Sequence, residues 1–119
     1  MISWIEIPVI DLERATTFYS DVFQLEFERE DIGDGNVKSL FPANSGMSGA
    51  LSYGPAWAPS PDGVILYFAA GDDLQVDLDR VVAAGGDIVE SKQTVDATSG
   101  YWGRFRDTEG NIVGLLSPN

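Results

Sequence analysis

Residues 2–10 alternate in a pattern with a period of two, rich in β-branched residues, which predicts a β-strand. Successive side chains of a strand point to opposite faces. One face carries Trp4, Glu6 and Pro8, and the other carries Ile5, Ile7 and Val9. Because the second face is entirely aliphatic, we expect it to pack in the core, which leaves the face with Trp4 and Glu6 for another purpose.

The next segment has the three- and four-residue spacing of an amphipathic helix. Asp11 is suited to cap this helix, and Glu13 falls in its first turn, where the helix dipole favours an acid. The apolar positions are Ala15, Phe18, Tyr19, Val22 and Phe23. We interpret them as packing residues that lie on the aliphatic face of the first strand.

The remaining pattern predicts two units of the same kind. Residues 1–53 form a βαβββ unit, residues 54–63 a connector rich in Pro and Gly, and residues 64–119 a second unit. Further strands are predicted at residues 25–30, 37–41, 47–53, 64–70, 87–91, 101–106 and 111–117, with a Gly-rich turn at residues 31–36. The second helix is predicted to begin after Asp72 or Asp73 and to end at Gly85-Gly86.

Two short sequences occur once in each unit. Asp11-Leu12 recurs 62 residues later as Asp73-Leu74, and Gly49-Ala-Leu-Ser52 resembles Gly114-Leu-Leu-Ser117, 65 residues later. Repetition at nearly constant spacing indicates a duplication. We therefore predict an α+β fold in a single domain, residues 1–119, in which two tandem βαβββ units form a curved mixed sheet around a cavity.

The composition fits one small domain. The chain has 119 residues, of which 44% are hydrophobic, and this suffices for a single core. No apolar run approaches the roughly 20 residues of a membrane span, and the N-terminus lacks a secretory leader pattern. The chain has no cysteine, which excludes a disulfide framework and thiolate metal sites. We expect a cytoplasmic protein that does not bind membranes.

The acidic and basic residues are strongly unbalanced. Nineteen acidic residues against seven basic ones give a formal charge of −12, which argues against binding to nucleic acid or to anionic lipids. We interpret the acidity as a solubilising surface, and a preference for cationic ligands is the alternative. The chain also has no histidine, so it lacks the commonest metal ligand and the usual general base at neutral pH.

Residues 101–117 contain two apolar runs on either side of Asp107-Thr-Glu-Gly-Asn111, which predicts a hairpin. Phe105, Asp107 and the following Glu-Gly-Asn resemble the closing hairpin of the vicinal oxygen chelate superfamily, which contains glyoxalases, bleomycin-resistance proteins and extradiol dioxygenases. Residues 5–19 resemble the first strand and helix of that superfamily. The resemblance implies the same fold and a homodimer, with the cavity built within one chain or across two.

The resemblance also implies where a divalent metal would be held, on the first and last strands of each unit. These positions fall on Trp4, Leu66, Gly49 and Gly114, and none of these side chains can ligate a cation. The carboxylate nearby is Glu6, and a single carboxylate without imidazole partners binds catalytic metals weakly. We therefore predict a metal-free cavity without a cofactor, which argues against the metal-dependent activities of the superfamily.

An aromatic cavity with one acid and one guanidinium suits a small planar organic ligand. We predict that Glu6 accepts a hydrogen bond from the ligand or pairs with its positive charge. The predicted ligand-binding residues are Trp4, Glu6, Gly49, Leu66, Phe68, Trp102, Arg104 and Gly114. The alternatives are that Trp4 fills core space, that Glu6 pairs with Arg104, and that Trp102 lies at a subunit contact.

Three classes of function follow. The first, which we favour, is a binding protein of the bleomycin-resistance kind that captures a small molecule without transforming it. The second is an enzyme of the lyase or dioxygenase type, either dependent on metal ligands at other positions or metal-independent with Glu6 as a catalytic general base in a buried site. The third is a scaffold whose cavity is vestigial.

Overall fold

The computed structural model describes residues 1–96 and 98–119, and their order of elements is that of two βαβββ units. The strands are β1 (Ile5–Pro8), β2 (Glu28–Gly33), β3 (Asn36–Leu40), β4 (Gly49–Tyr53), β5 (Tyr67–Ala69), β6 (Asp87–Thr94), β7 (Tyr101–Arg106) and β8 (Ile112–Ser117). The helices are α1 (Leu12–Phe23) and α2 (Leu74–Ala83), with a short 3₁₀ helix at Ala43–Ser45. Within these residues, no helix is long and apolar enough to cross a membrane.

The strands form two four-stranded sheets, one in each unit. The first sheet has the order β1-β4-β3-β2, and the second has the order β5-β8-β7-β6. In each sheet the first and last strands of the unit pair in parallel, and the other pairs are antiparallel. The predicted α+β fold with two tandem units is thereby confirmed, and its mixed strands are divided between two sheets.

Helix α1 has the predicted cap and the predicted buried side. The Asp11 carboxylate accepts a hydrogen bond from the Arg14 N–H at 3.1 Å, and Gln24 ends the helix in the left-handed conformation, at φ 56°. The buried side consists of Leu12, Ala15, Phe18, Tyr19 and Val22. These residues share one core with Ile7 and Leu51, so the helix covers the aliphatic face of β1.

Helix α2 is capped by Asp73 rather than by Asp72. The Asp73 carboxylate accepts a hydrogen bond from the Gln75 N–H at 2.9 Å. At the other end, Gly85 follows the C-cap residue Ala84 with a φ of 99°. A left-handed residue commonly ends a helix and favours glycine, so the predicted stop at Gly85-Gly86 is confirmed.

Each helix covers one face of its sheet, and the opposite faces carry polar and aromatic side chains. In β1, Ile7 is buried beneath α1, whereas Glu6 points to the other side of the sheet. We call the two helix-free sheet faces the open faces. Their defining residues are Trp4, Glu6, Lys38 and Ser52 in the first unit and Tyr67, Trp102, Arg104 and Gly114 in the second.

The two units are joined through their helix sides. Helix α1 contacts α2, and the Phe18 ring centroid lies 5.9 Å from that of Phe105 in β7. The Phe23 ring centroid lies 4.9 Å from that of Phe68 in β5. Side chains of both units are therefore buried in one hydrophobic core.

The closing hairpin is fixed to the first unit by the buried Asp107. Its carboxylate accepts hydrogen bonds from the Glu109 and Asn111 N–H groups, which closes the predicted turn. It also accepts from the Tyr19 hydroxyl at 2.6 Å, and the Asn111 side-chain amide donates to the Pro8 carbonyl at 2.8 Å. Burial and the neighbouring Asp107 charge raise the pKa of Tyr19 well above its ordinary value, so this hydroxyl remains a donor.

Glu109 extends this contact to the start of α1. Its side chain is fully buried, and its Oε1 accepts hydrogen bonds from the Ile10 and Asp11 N–H groups at 2.8 Å each. Both carboxylate oxygens also accept from the Arg14 guanidinium. Burial raises the pKa of Glu109, but the hydrogen bonds from Arg14 and the backbone outweigh it and hold the net pKa below its ordinary value.

Asp77 is a buried acid on the core side of α2. Among the described residues its ion-pair partner is Arg80, whose Nη1 lies 3.6 Å from Asp77 Oδ1. Burial raises the pKa of Asp77 to about 6, and the Arg80 charge offsets only part of this effect. The folded state therefore binds this proton more tightly than the unfolded state, and ionisation of Asp77 opposes folding above that pH.

The element boundaries differ from the predicted ones mainly in the first hairpin. β2 continues to Gly33, so only Asp34 and Gly35, both at positive φ, connect it to β3. The sequence predicted a longer turn at residues 31–36. β2 is exposed on both faces, so alternation of buried and exposed positions does not mark its end.

Glu109→Gln is expected to destabilise the fold by about 2 kcal/mol, because the neutral amide deprives Arg14 and two backbone donors of their carboxylate. The measurement is urea unfolding near neutral pH, with the exposed Glu13→Gln on α1 as the matched control. A lowered pKa stabilises the fold only where the carboxylate is ionised in both states. The difference from wild type should therefore narrow as the pH falls below the ordinary value of 4.5. Equal unfolding midpoints for the two variants would contradict this role.

Asp77→Asn is expected to stabilise the protein above pH 7 by on the order of 2 kcal/mol, because the ionised acid is buried in the wild type. Near pH 4 the effect should be small, since the wild-type acid is then protonated in the folded state. Thermal unfolding across this pH range measures the difference, with the exposed Asp79→Asn on the same helix as the control. A difference between the two variants that does not change with pH would show that Asp77 does not have the raised pKa.

Candidate functional site

An ion pair between Glu6 and Lys38 lies on the open face of the first unit. The Lys38 ammonium donates to Glu6 Oε1, and the Ser52 hydroxyl donates to the same oxygen at 2.9 Å. The strand register brings them together, because Glu6 lies beside Ala50 and Lys38 beside Ser52. The two charged side chains are only 22% and 17% exposed, so water screens this pair less than a surface pair.

Two tryptophans accompany this ion pair. The Lys38 ammonium lies 5.3 Å from the Trp57 ring centroid, which is a cation–π distance. Trp4 precedes β1 and is 51% exposed, so the alternative that it fills core space is wrong. Within the chain, Lys38 takes the place beside Glu6 that the other alternative gave to Arg104.

The open face of the second unit is organised around the Arg104 guanidinium. Its central carbon lies 4.9 Å from the Trp102 ring centroid and 5.6 Å from the Tyr67 ring centroid, and its Nε donates to the Tyr67 hydroxyl at 2.5 Å. Both Arg104 and Tyr67 pair with Gly114 across the sheet. A Cβ at Gly114 would lie 2.3 Å from Tyr67 Cδ1, so the tyrosine ring occupies the space above the glycine.

Gly49 lies on the helix side of its sheet. It pairs with Ile5, whereas Ala50 pairs with Glu6 on the open face. The counterpart of Gly114 is therefore Ala50, and the spacing between the copies on this strand is 64 residues rather than the predicted 65. A shift of one residue moves a side chain to the other face of a strand, which separates Gly49 from the open-face residues.

Leu66 and Phe68 also lie away from the open faces. Both pack against the hydrophobic core and line a cavity of about 660 Å³ at the junction of the two units. The first unit contributes Ile5, Phe23 and Phe41 to the lining, which is mainly apolar. The volume lies within the range of small-molecule sites, and the lining suits an uncharged apolar group.

The eight predicted binding residues thus occupy three places. Trp4 and Glu6 lie on the first open face, and Trp102, Arg104 and Gly114 lie on the second. Leu66 and Phe68 line the junction cavity, and Gly49 lies within the first sheet. That these residues contact a ligand stays a prediction.

The side chains present do not fit the metal ion that the resemblance implies. Trp4, Leu66, Gly49 and Gly114 offer no donor atom, and the Tyr67 ring covers the last of these positions. In the described part of the chain, no group of three or more His, Cys, Asp or Glu side chains could hold a metal ion.

Sequence analysis missed three residues of the open faces, which are Lys38, Ser52 and Tyr67. Extending the period of two along the third and fourth strands would have placed Lys38 and Ser52 on the same side as Glu6, since both lie next to buried positions. Tyr67 was missed because the copy spacing of 62 residues put Leu66 in the position opposite Gly114.

A family model described as the Glyoxalase/Bleomycin resistance protein/Dioxygenase superfamily matches residues 1–115. The chain belongs to this superfamily. The match spans both units, so the resemblance of the opening strand and the closing hairpin is confirmed. No match was found among curated proteins.

Solved structures share the superfamily fold at low sequence identity. A glyoxylase/bleomycin resistance protein/dioxygenase domain from Frankia sp. EAN1pec has a TM-score of 0.75 and 21% identity over 100% of this chain and 92% of that one. The fosfomycin resistance protein FosX from Listeria monocytogenes has a TM-score of 0.73 and 18% identity over 100% and 91%. TnmS3, an antibiotic binding protein from Streptomyces sp. CB03234, has a TM-score of 0.65 and 21% identity over 100% and 96%. Such identities establish the fold, and function must be argued from the site.

Gly49→Ala is expected to cost more stability than Gly114→Ala. A Cβ at Gly49 would lie 2.2 Å from the Ile5 carbonyl oxygen, so backbone must move at a cost of about 3 kcal/mol. At Gly114 the obstacle is the partly exposed Tyr67 ring, which can turn toward solvent at a cost of about 1 kcal/mol. Urea unfolding of both variants measures the two costs. A larger loss for Gly114→Ala would contradict the placement of these glycines.

Proposed function

We propose that this superfamily member binds a small planar organic molecule against its open faces, without a metal ion and as a homodimer. The observation that carries the proposal is the concentration of aromatic and charged side chains on the helix-free sides of the sheets. Trp4 and Glu6 share the first open face, and Arg104 lies between Tyr67 and Trp102 on the second. Aromatic rings stack on planar ligands, and a few polar groups fix their orientation.

The exposure of these faces in a single chain supports a role for a second copy. Trp4 is 51% exposed, Tyr67 37% and Leu116, on the same face as Arg104, 42%. Exposed apolar groups of this size on one surface favour a ligand or partner that covers them. In the proposed dimer, the ligand lies between the open face of one chain and that of its partner.

Metal-independent binding agrees with the chemistry of the open faces. Glu6 already accepts hydrogen bonds from Lys38 and Ser52, and the position of Gly114 is covered by a tyrosine ring. Aromatic and guanidinium groups recognise organic ligands and do not ligate cations. The antibiotic-binding protein among the structural neighbours shows that this fold serves binding in another protein, which supports the first class of function.

The test is a thermal-shift screen of planar aromatic compounds, followed by titration of the compounds that bind. Trp4→Ala and Glu6→Gln are each expected to weaken binding about tenfold, because they remove stacking and a polar anchor. Tyr53→Ala and Glu13→Gln, at exposed positions away from the open faces, are the matched controls and should bind as wild type does. Binding that survives both site variants and is lost in Phe68→Leu would move the site to the junction cavity.

Three further measurements separate the proposal from its alternatives. Binding should be unchanged by EDTA, and stoichiometric divalent metal held at the open faces would overturn the metal-independent assignment. The bound compound should be recovered unchanged, since conversion would favour an enzyme. Light scattering should show a dimer, and a monomer with full affinity would contradict the role of the second copy.

A further inference from the structure

We propose that Arg104, flanked by Tyr67 and Trp102, binds the carboxylate group of the ligand, so that the ligand class is planar aromatic carboxylic acids. This inference rests on the proposed function and names its substrate chemistry. It follows from the fixed orientation of the Arg104 guanidinium and from the charges around it.

Two aromatic rings and one hydrogen bond hold the Arg104 guanidinium. The Trp102 ring centroid lies at 4.9 Å and the Tyr67 ring centroid at 5.6 Å, while Nε donates to the Tyr67 hydroxyl. Because Nε is the inner N–H of the guanidinium, both terminal amino groups remain available, and neither has an acceptor among the described residues. A guanidinium held in place in this way loses little further freedom when it binds a carboxylate through two parallel hydrogen bonds.

Arg104 differs from the other cations of the chain in its combination of burial and charge. The chain has seven Lys and Arg residues. Four of these form ion pairs, namely Arg14 with Glu109, Lys38 with Glu6, Arg80 with Asp77 and Lys92 with Asp73. Arg29 and Arg106 are exposed, whereas Arg104 is partly buried and has no carboxylate within 4 Å in the part of the chain that the structure describes.

The acid that could have paired with Arg104 is engaged elsewhere. Glu90 is its neighbour across β6 and β7, but the Glu90 carboxylate accepts a hydrogen bond from the Gln93 amide at 3.1 Å. A partly desolvated guanidinium without an acid partner favours an anion supplied from outside the chain. In a chain with 19 acidic residues, this vacancy for an anion is a specific feature of the second open face.

The first open face does not offer the opposite preference. Glu6 Oε1 accepts from both the Lys38 ammonium and the Ser52 hydroxyl, so its charge is already balanced within the chain. A ligand cation would have to compete with Lys38 for this carboxylate. Ligand charge is therefore selected by Arg104, and the preference for cationic ligands suggested by the overall acidity does not extend to the open faces.

Isothermal titration with 2-naphthoate and 2-naphthamide at neutral pH tests the inference, because the two probes share a ring system and differ in charge. Wild type should bind 2-naphthoate about tenfold or more tightly than 2-naphthamide. Arg104→Gln should abolish this preference, and Arg104→Lys, which keeps the charge and loses the planar fork, should retain part of it. Arg29→Gln removes the same charge from an exposed strand and should leave the preference unchanged.

Each outcome separates the inference from the function on which it rests. Equal affinity for the two probes in wild type, or a preference that persists in Arg104→Gln, would overturn the carboxylate subsite and leave aromatic binding intact. Trp102→Leu should weaken both probes by a similar factor, since it removes stacking and not charge. If wild type binds neither probe at millimolar concentration, both the inference and the planar aromatic ligand class are wrong.

Discussion

The fold depends on the burial of two carboxylates in the closing turn. A buried charge is stable only where hydrogen bonds replace its hydration, and for Asp107 and Glu109 the first unit supplies donors from Tyr19, from Arg14 and from the start of α1. The N–H groups there are among those that every helix leaves unpaired at its beginning. The last hairpin of the chain and its first helix therefore complete each other, which requires both units to fold together.

This arrangement decides which surfaces remain for binding. Helices α1 and α2 contact each other, and the Phe18–Phe105 and Phe23–Phe68 ring contacts join the helix side of one unit to that of the other. The helix sides are thus used for stability. The opposite sheet faces take no part in this interface, so their side chains are free to be selected for a ligand rather than for packing.

Features that depend on neighbouring residues could be predicted from the sequence. These are the Asp11 cap, the buried stripe of α1, the closing hairpin and the assignment of Glu6 to the free side of β1. The contact between Glu6 and Lys38 could not be predicted, because it spans 32 positions and depends on the order in which β1, β4 and β3 pair. Gly49 was misplaced because a spacing error of one residue, read from a four-residue repeat, exchanges the faces of a strand.

An anion site in a chain with a formal charge of −12 is physically consistent, because the two effects act over different distances. The repulsion from the whole chain is screened over about 8 Å at physiological ionic strength, so it slows the approach of an anion more than it weakens the bound state. Hydrogen bonds from a partly buried guanidinium act at contact and are screened much less. Gly114 contributes to this site by lacking a side chain, since the Tyr67 ring that orients Arg104 lies where any larger residue would stand. The position that would carry a metal-ligating acid in the superfamily thus supports a positive group here, and the sign of the preferred ligand charge is reversed.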